Sequence, residues 1–158
     1  MSIAACGSEA ALLVFTSERD GNRDIYSIDL GNLEETNLTS SSRPESLARL
    51  SPGSSQIAFM SERNGRTMIE TLKLSGDSVD RVRISEGDGS QSGHRWSPDG
   101  SRIAYIGEEE GRRTVFAKSL PDGRPTRLTY IEVDELGPWS PDGEVLLFVV
   151  HSGETRGI

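Results

Sequence analysis

The sequence predicts an all-β fold assembled from repeated four-stranded units, and three observations carry that prediction. Trp96-Ser97-Pro98-Asp99-Gly100 returns 43 residues later as Trp139-Ser140-Pro141-Asp142-Gly143, and a worn copy, Leu50-Ser51-Pro52-Gly53-Ser54, lies 46 residues earlier. The apolar segments between these copies keep constant spacing. No segment shows a helical period, whereas short apolar or alternating runs bounded by turn residues recur throughout. Self-similarity at a period of roughly 40–45 residues marks stacked supersecondary units.

Each unit reads as four strands. The first is poorly patterned and ends at Leu50, Trp96 or Trp139. A Ser-Pro-Asp-Gly turn follows: Pro presets φ at the first corner, Asp can bond its own backbone, and Gly takes the left-handed position. The step from Leu50 to Phe59, Trp96 to Tyr105 and Trp139 to Phe148 is nine residues each time. The second strand is an unbroken apolar run, Leu12-Leu13-Val14-Phe15, Ile57-Ala58-Phe59-Met60 or Ile103-Ala104-Tyr105-Ile106, as expected of a strand covered on both faces. A second turn, Glu18-Arg19-Asp20-Gly21 or Glu62-Arg63-Asn64-Gly65, is reduced to Glu109-Glu110-Gly111 in the third unit. The third strand alternates, as in Tyr26-Ser27-Ile28-Asp29-Leu30; the fourth, as in Thr126-Arg127-Leu128-Thr129, is short and polar and suits an outer edge. Such a unit, repeated, is a β-propeller blade. Blades are expected at about 3–40, 46–85 and 93–130, with the first hairpin of a fourth at about 136–151, in one domain over 1–158. Counting back from Phe15 puts Cys6 at the Trp position of the first blade.

Trp-Ser-Pro-Asp-Gly, Ile-Ala-Tyr/Phe, Ser-Glu-Arg-Asn/Asp-Gly, Ile-Tyr-x-x-Asp-Leu and Arg-Leu-Thr, in that order, resemble the TolB-like propeller repeat from about Leu12 to Phe148. Prolyl oligopeptidase and dipeptidyl peptidase IV propellers are similar at lower fidelity. The resemblance implies a rigid, non-catalytic scaffold that binds a protein or peptide, bacterial and often periplasmic or secreted. No Gly-x-Ser-x-Gly nucleophile elbow is present. Three and a half blades fall short of the four to eight of a closed ring. The chain is therefore a fragment of a longer propeller, a small irregular ring, or half of a ring completed by a second copy. The last is the expectation adopted, because open blade faces and strand edges invite pairing and closed homodimers are common.

A net charge of −8 argues against nucleic acid as a partner. The chain has no membrane-spanning apolar run and no full secretory signal, and its one cysteine excludes an intrachain disulfide. Ile3-Ala4-Ala5-Cys6-Gly7-Ser8 resembles the end of a lipoprotein signal, against the plainer reading of Cys6 as a small buried residue.

Candidate binding residues lie where fourth strands pass to the next first strand. Two such linkers are acidic, with Glu86 and Asp88 in one and Glu132, Asp134 and Glu135 in the other. They open at the same end of the blades, so their carboxylates suit a basic peptide or a Ca²⁺ ion; no other cofactor is expected. His94, on a first strand, is read either as a channel contact or as a buried hydrogen-bonded imidazole, and His151 is assigned no role. The competing class is a metal-assisted sugar lyase or hydrolase built on His94 and the acidic linkers. Asp99 and Asp142 are turn residues, and Trp96 and Trp139 belong between blades.

Overall fold

A computed structural model describes residues 2–4, 11–74 and 80–150, the first three by backbone alone. Its strands form four antiparallel sheets in chain order. β1 (Ser2–Ala4), β2 (Leu12–Ser17), β3 (Asp24–Asp29) and β4 (Glu35–Asn37) make blade 1. β5 (Glu45–Leu50), β6 (Gln56–Arg63), β7 (Arg66–Lys73) and β8 (Arg81–Arg83) make blade 2. Blade 3 is β9 (Gln91–Trp96), β10 (Arg102–Glu109), β11 (Arg112–Ser119) and β12 (Thr126–Arg127). β13 (Glu135–Trp139) and β14 (Leu146–Val149) form a half blade. No helix occurs among the described residues.

The unbroken apolar runs are buried on both faces, and each face serves a different neighbour. Ile57 and Phe59 join Val14 and Ile25 of blade 1, while Ala58 joins Ile103 and Tyr105 of blade 3. Ala104 and Ile106 then pack against Leu136 of the half blade. Successive strand residues point to opposite faces, so one apolar strand contributes to two interblade layers. Each fully buried large side chain adds about 1.5–3 kcal/mol.

Trp96 and Trp139 stitch these layers. The Trp96 indole N–H donates to the Arg49 carbonyl at 3.0 Å, and Trp139 donates to the Arg95 carbonyl at 3.4 Å. The Ser-Pro-Asp-Gly turns close as expected: the Arg102 amide donates to the Ser97 hydroxyl at 2.9 Å, and the Ser101 amide to Asp99 at 3.0 Å. In the worn copy Ser54 occupies the Gly100 position with φ 54, against 71 for Gly100.

One expectation changes. β1 pairs Ile3 with Leu13, while Leu50 pairs with Ile57 and Trp96 with Ile103. Ile3, not Cys6, therefore holds the Trp position, because the connection after β1 is longer than the nine-residue count allows. Cys6 itself lies outside the described residues. The alternating third strands also bury polar side chains, and some of these are hydrogen-bonded: Asp24 takes Asn37 at 2.9 Å, and Glu70 takes Arg81 at 3.0 Å.

Candidate functional site

The linkers entering each blade are laced to the hairpins between second and third strands. Glu45 N–H donates to the Arg23 carbonyl at 2.7 Å, Glu62 N–H to Pro44 at 2.9 Å, Glu108 N–H to Ser90 at 3.0 Å and Val133 N–H to Arg113 at 2.8 Å. This end of the blades is thus a framework of hydrogen-bonded backbone. Gly89 is obligatory in it, because a Cβ there would lie 2.0 Å from the Glu108 carbonyl oxygen.

Glu86 and Asp88 open onto a cavity of ≈ 640 Å³ beneath that linker. The opposite wall is the blade 3 hairpin with Glu108, Glu109 and Glu110, and Tyr105 and Phe116 form the floor, stacked at 5.7 Å. Glu109 pairs with Arg127, whose guanidinium lies 5.5 Å from the Phe116 ring. Asp88 reaches Arg66 only at 4.0 Å. Burial, joined by the charge of Glu86, pushes the Tyr105 phenol up to about 12, although a hydrogen bond from the Glu86 backbone opposes it. The chemistry on offer is a negative rim over an aromatic floor.

Asp134 and Glu135 lie elsewhere. With Leu47, Arg49, Gly93, Arg95 and Arg113 they line a cavity of ≈ 310 Å³ where three inner strands converge. Arg113 donates to the Asp134 carbonyl at 3.0 Å. Glu132 is exposed on the linker and lines neither cavity. His94 is 0% exposed, between blades 2 and 3, with Nε2 3.0 Å from the Ala58 carbonyl. Burial, with Arg49 and Arg95 nearby, lowers its pKa to about 3, so it is neutral and its Nε2 is the donor. His151 lies outside the described residues. Among the described residues, no three His, Cys, Asp or Glu side chains gather as a metal site.

The six candidates therefore fall in four places: Glu86 with Asp88, Asp134 with Glu135, and Glu132 and His94 each apart. Glu110 was expected only as a turn residue, and Glu108, Arg49 and Arg95 were not among the expected site residues. The arginines carry a signal: each stands immediately before the repeat anchor, Arg49 before Leu50 and Arg95 before Trp96.

The model for the TolB beta propeller domain matches residues 5–158. The chain belongs to the TolB β-propeller family. Similar solved structures include TolB from Acinetobacter baumannii (TM-score 0.72, 22% identity, 93% of this chain and 36% of that one). An oligogalacturonate lyase solved in complex with manganese matches at TM-score 0.68 and 17% identity, over 84% of this chain and 37% of that one. A chain of a nidogen/laminin complex matches at TM-score 0.64 and 15% identity, over 91% of this chain and 53% of that one. This TolB-family chain spans about a third to a half of those chains, and at such identities they share its fold alone.

Proposed function

We propose that this TolB-family propeller is a non-catalytic scaffold that captures a basic peptide segment of a protein partner in the acidic groove between the blade 2–3 linker and the blade 3 hairpin. The observation that carries this reading is the cavity in which Glu86, Asp88, Glu108 and Glu110 face a Tyr105–Phe116 floor. A Lys or Arg side chain gains the carboxylate rim, while the Tyr105–Phe116 stack beneath it gives its aliphatic stem an apolar surface. The laced backbone keeps the groove formed before binding, which lowers the ordering cost. The nidogen/laminin neighbour, seen in a protein complex, supports the use of this fold in such contacts.

Fluorescence anisotropy with a labelled lysine-rich peptide tests it. Saturable binding that weakens with salt is expected, and reversing Glu86, Asp88 and Glu110 to Lys should weaken it at least about tenfold. Reversing Glu132 should change it little, because that residue stands outside the groove. Binding indifferent to the triple reversal overturns the reading.

We infer further that two copies associate. Leu147 and Val149 hold the positions of Ala104 and Ile106 but face outward, at 59% and 45% exposure. At the other end Leu13 and Phe15 hold the positions of Ile57 and Phe59, which in blade 2 are covered by a neighbouring blade. The two open faces thus carry the chemistry of an interblade layer. Sedimentation equilibrium should give a dimer that L147E/V149E converts to monomer; a monomeric native protein refutes it.

A further inference from the structure

Arg49 stands out among the cations of this chain. Its Nε is buried without a partner, and none of its guanidinium N–H groups donates a hydrogen bond to the described residues. The Arg81 Nε is likewise unpartnered, but its terminal nitrogen pairs with Glu45 and Glu70, and Arg102 donates to the Gly143 carbonyl at 2.6 Å. Arg49 instead faces a second cation. Burial first and then the neighbouring Arg95 lower its pKa. Arg95 spends two donors on the carbonyls of His94 and Leu136, at 2.9 and 2.7 Å, and a guanidinium has five. No ion pair joins either guanidinium to a carboxylate of the described residues.

Both arginines line the ≈ 310 Å³ cavity at the meeting of β5, β9 and β13, together with Arg113, Asp134 and Glu135 and with apolar walls that include Leu47 and Leu136. Gly93, at φ 56, bends β9 beside them. Two like charges in a partly apolar recess repel, and an unpartnered buried N–H adds a desolvation cost. An anion relieves both. The guanidinium fork matches planar carboxylates, which it binds through paired, charge-assisted hydrogen bonds.

We propose that Arg49 and Arg95 form a carboxylate-binding site on the inner wall, of a size for one peptide residue, bound through an acidic side chain or a C-terminus. It is separate from the acidic groove, so either site can fail without the other.

The test is titration of the whole protein, followed by the arginine ¹H–¹⁵Nε signals in NMR. Three probes are used: N-acetylglutamate methylamide for an acidic side chain, N-acetylglycine for a C-terminus, and N-acetylglutamine methylamide as the neutral isostere. Saturable shifts of the Arg49 and Arg95 signals with a carboxylate probe, at least about tenfold weaker with the glutamine isostere, are expected. Which carboxylate binds more tightly identifies the source. R49Q should abolish the effect and R49K retain part of it, because lysine keeps the charge and loses the fork. The titration of the native protein decides the matter even if R49Q does not fold. No saturable shift, or equal shifts with the isostere, overturns the proposal.

Discussion

Glu45 and Gln91 hold the same place in consecutive blades, each five residues before its anchor, Leu50 or Trp96, yet their surroundings differ. Glu45 is fully buried and takes Arg81 and Ser41, both at 2.6 Å. Arg81 also pairs with Glu70 at 3.0 Å, Arg43 approaches Glu70 at 3.4 Å, and Asp24 hydrogen-bonds in the same cluster. Burial would raise the Asp24 carboxyl, but Asn37, Ser41 and Thr39, together with Glu45, hold it below its usual value. Gln91 sits in a neutral layer, accepting from the Ser85 hydroxyl at 2.8 Å and donating to the Gly89 carbonyl. Where Glu70 stands opposite Phe59, blade 3 has Phe116 opposite Tyr105, stacked at 5.7 Å. Blade 1 stacks Phe15 on Tyr26 in the same way at 5.8 Å. Blade 2 is the exception, with Arg81 5.1 Å from the Phe59 ring. The same backbone thus closes an interblade layer by ions or by neutral packing, and the choices are coupled: a buried carboxylate on the inner strand requires a cation on the outer one.

The largest effect should come from breaking that coupling. Arg81→Met leaves Glu45 and Glu70 without their shared cation and should cost about 3–5 kcal/mol, read from urea unfolding. Giving blade 2 the blade 3 chemistry, Glu45→Gln and Glu70→Phe together with Arg81→Met, should recover most of the loss, since neutral packing can replace a buried ion network. If the triple variant is no more stable than the single one, the two layers are not interchangeable.

His94 provides the next largest effect, through pH. Its folded pKa, about 3, lies below the ordinary 6.5. The unfolded chain therefore takes up the proton first, and stability that is full above about 6.5 is lost as pH falls toward 3. At about 1.4 kcal/mol per pH unit, the loss is about 3 kcal/mol by pH 4. His94→Leu should show a shallower decline between pH 6.5 and 4; an unchanged slope assigns the acid sensitivity to carboxylates.

The neutral layer also depends on a hydroxyl that recurs in each of the three four-stranded blades. Thr39 accepts the Ile25 amide at 3.0 Å, Ser85 the Ile69 amide at 3.0 Å and Thr129 the Val115 amide at 3.1 Å. Ser85→Ala orphans both this amide and the Gln91 acceptor and should cost about 1–3 kcal/mol.

That hydroxyl was visible in the sequence, as the Thr of Arg-Leu-Thr, but its role was not, because pattern reading records side-chain type and not which backbone amide lacks a partner. The unbroken runs at Ile57 and Ile103 were legible as doubly covered strands because period and burial are the same information. The acids were legible only as acids. Glu86 meets Glu108 and Glu110 because the Gly89 backbone crosses β10, a contact between segments about 20 residues apart that no local signal encodes. Asp134 and Glu135 were grouped with Glu86 by charge, whereas the turn into β13 carries them to the arginines.

The smallest effect is expected at the most conspicuous motif. Asp99 and Asp142 recur, but the copy at Leu50 has Gly53 in their place and closes nonetheless: the Ser54 amide donates to the Ser51 carbonyl at 2.8 Å and the Gln56 amide to the Ser51 hydroxyl at 3.2 Å. The Ser hydroxyl and the residue at positive φ are therefore the common parts, and Asp adds to them. Hydrogen bonds from the Ser101 and Ser97 hydroxyls and the Ser101 amide hold the Asp99 carboxyl well below its ordinary 3.8. Stability from this group is present above pH 3.8 and lost below it, the same direction as for His94 but in a more acidic window. Asp99→Ala should lower the melting temperature slightly at pH 7, with the gap to the native protein closing as the pH falls below 3.8. A gap constant across that range would mean that the residue acts through backbone preference and not through its charge.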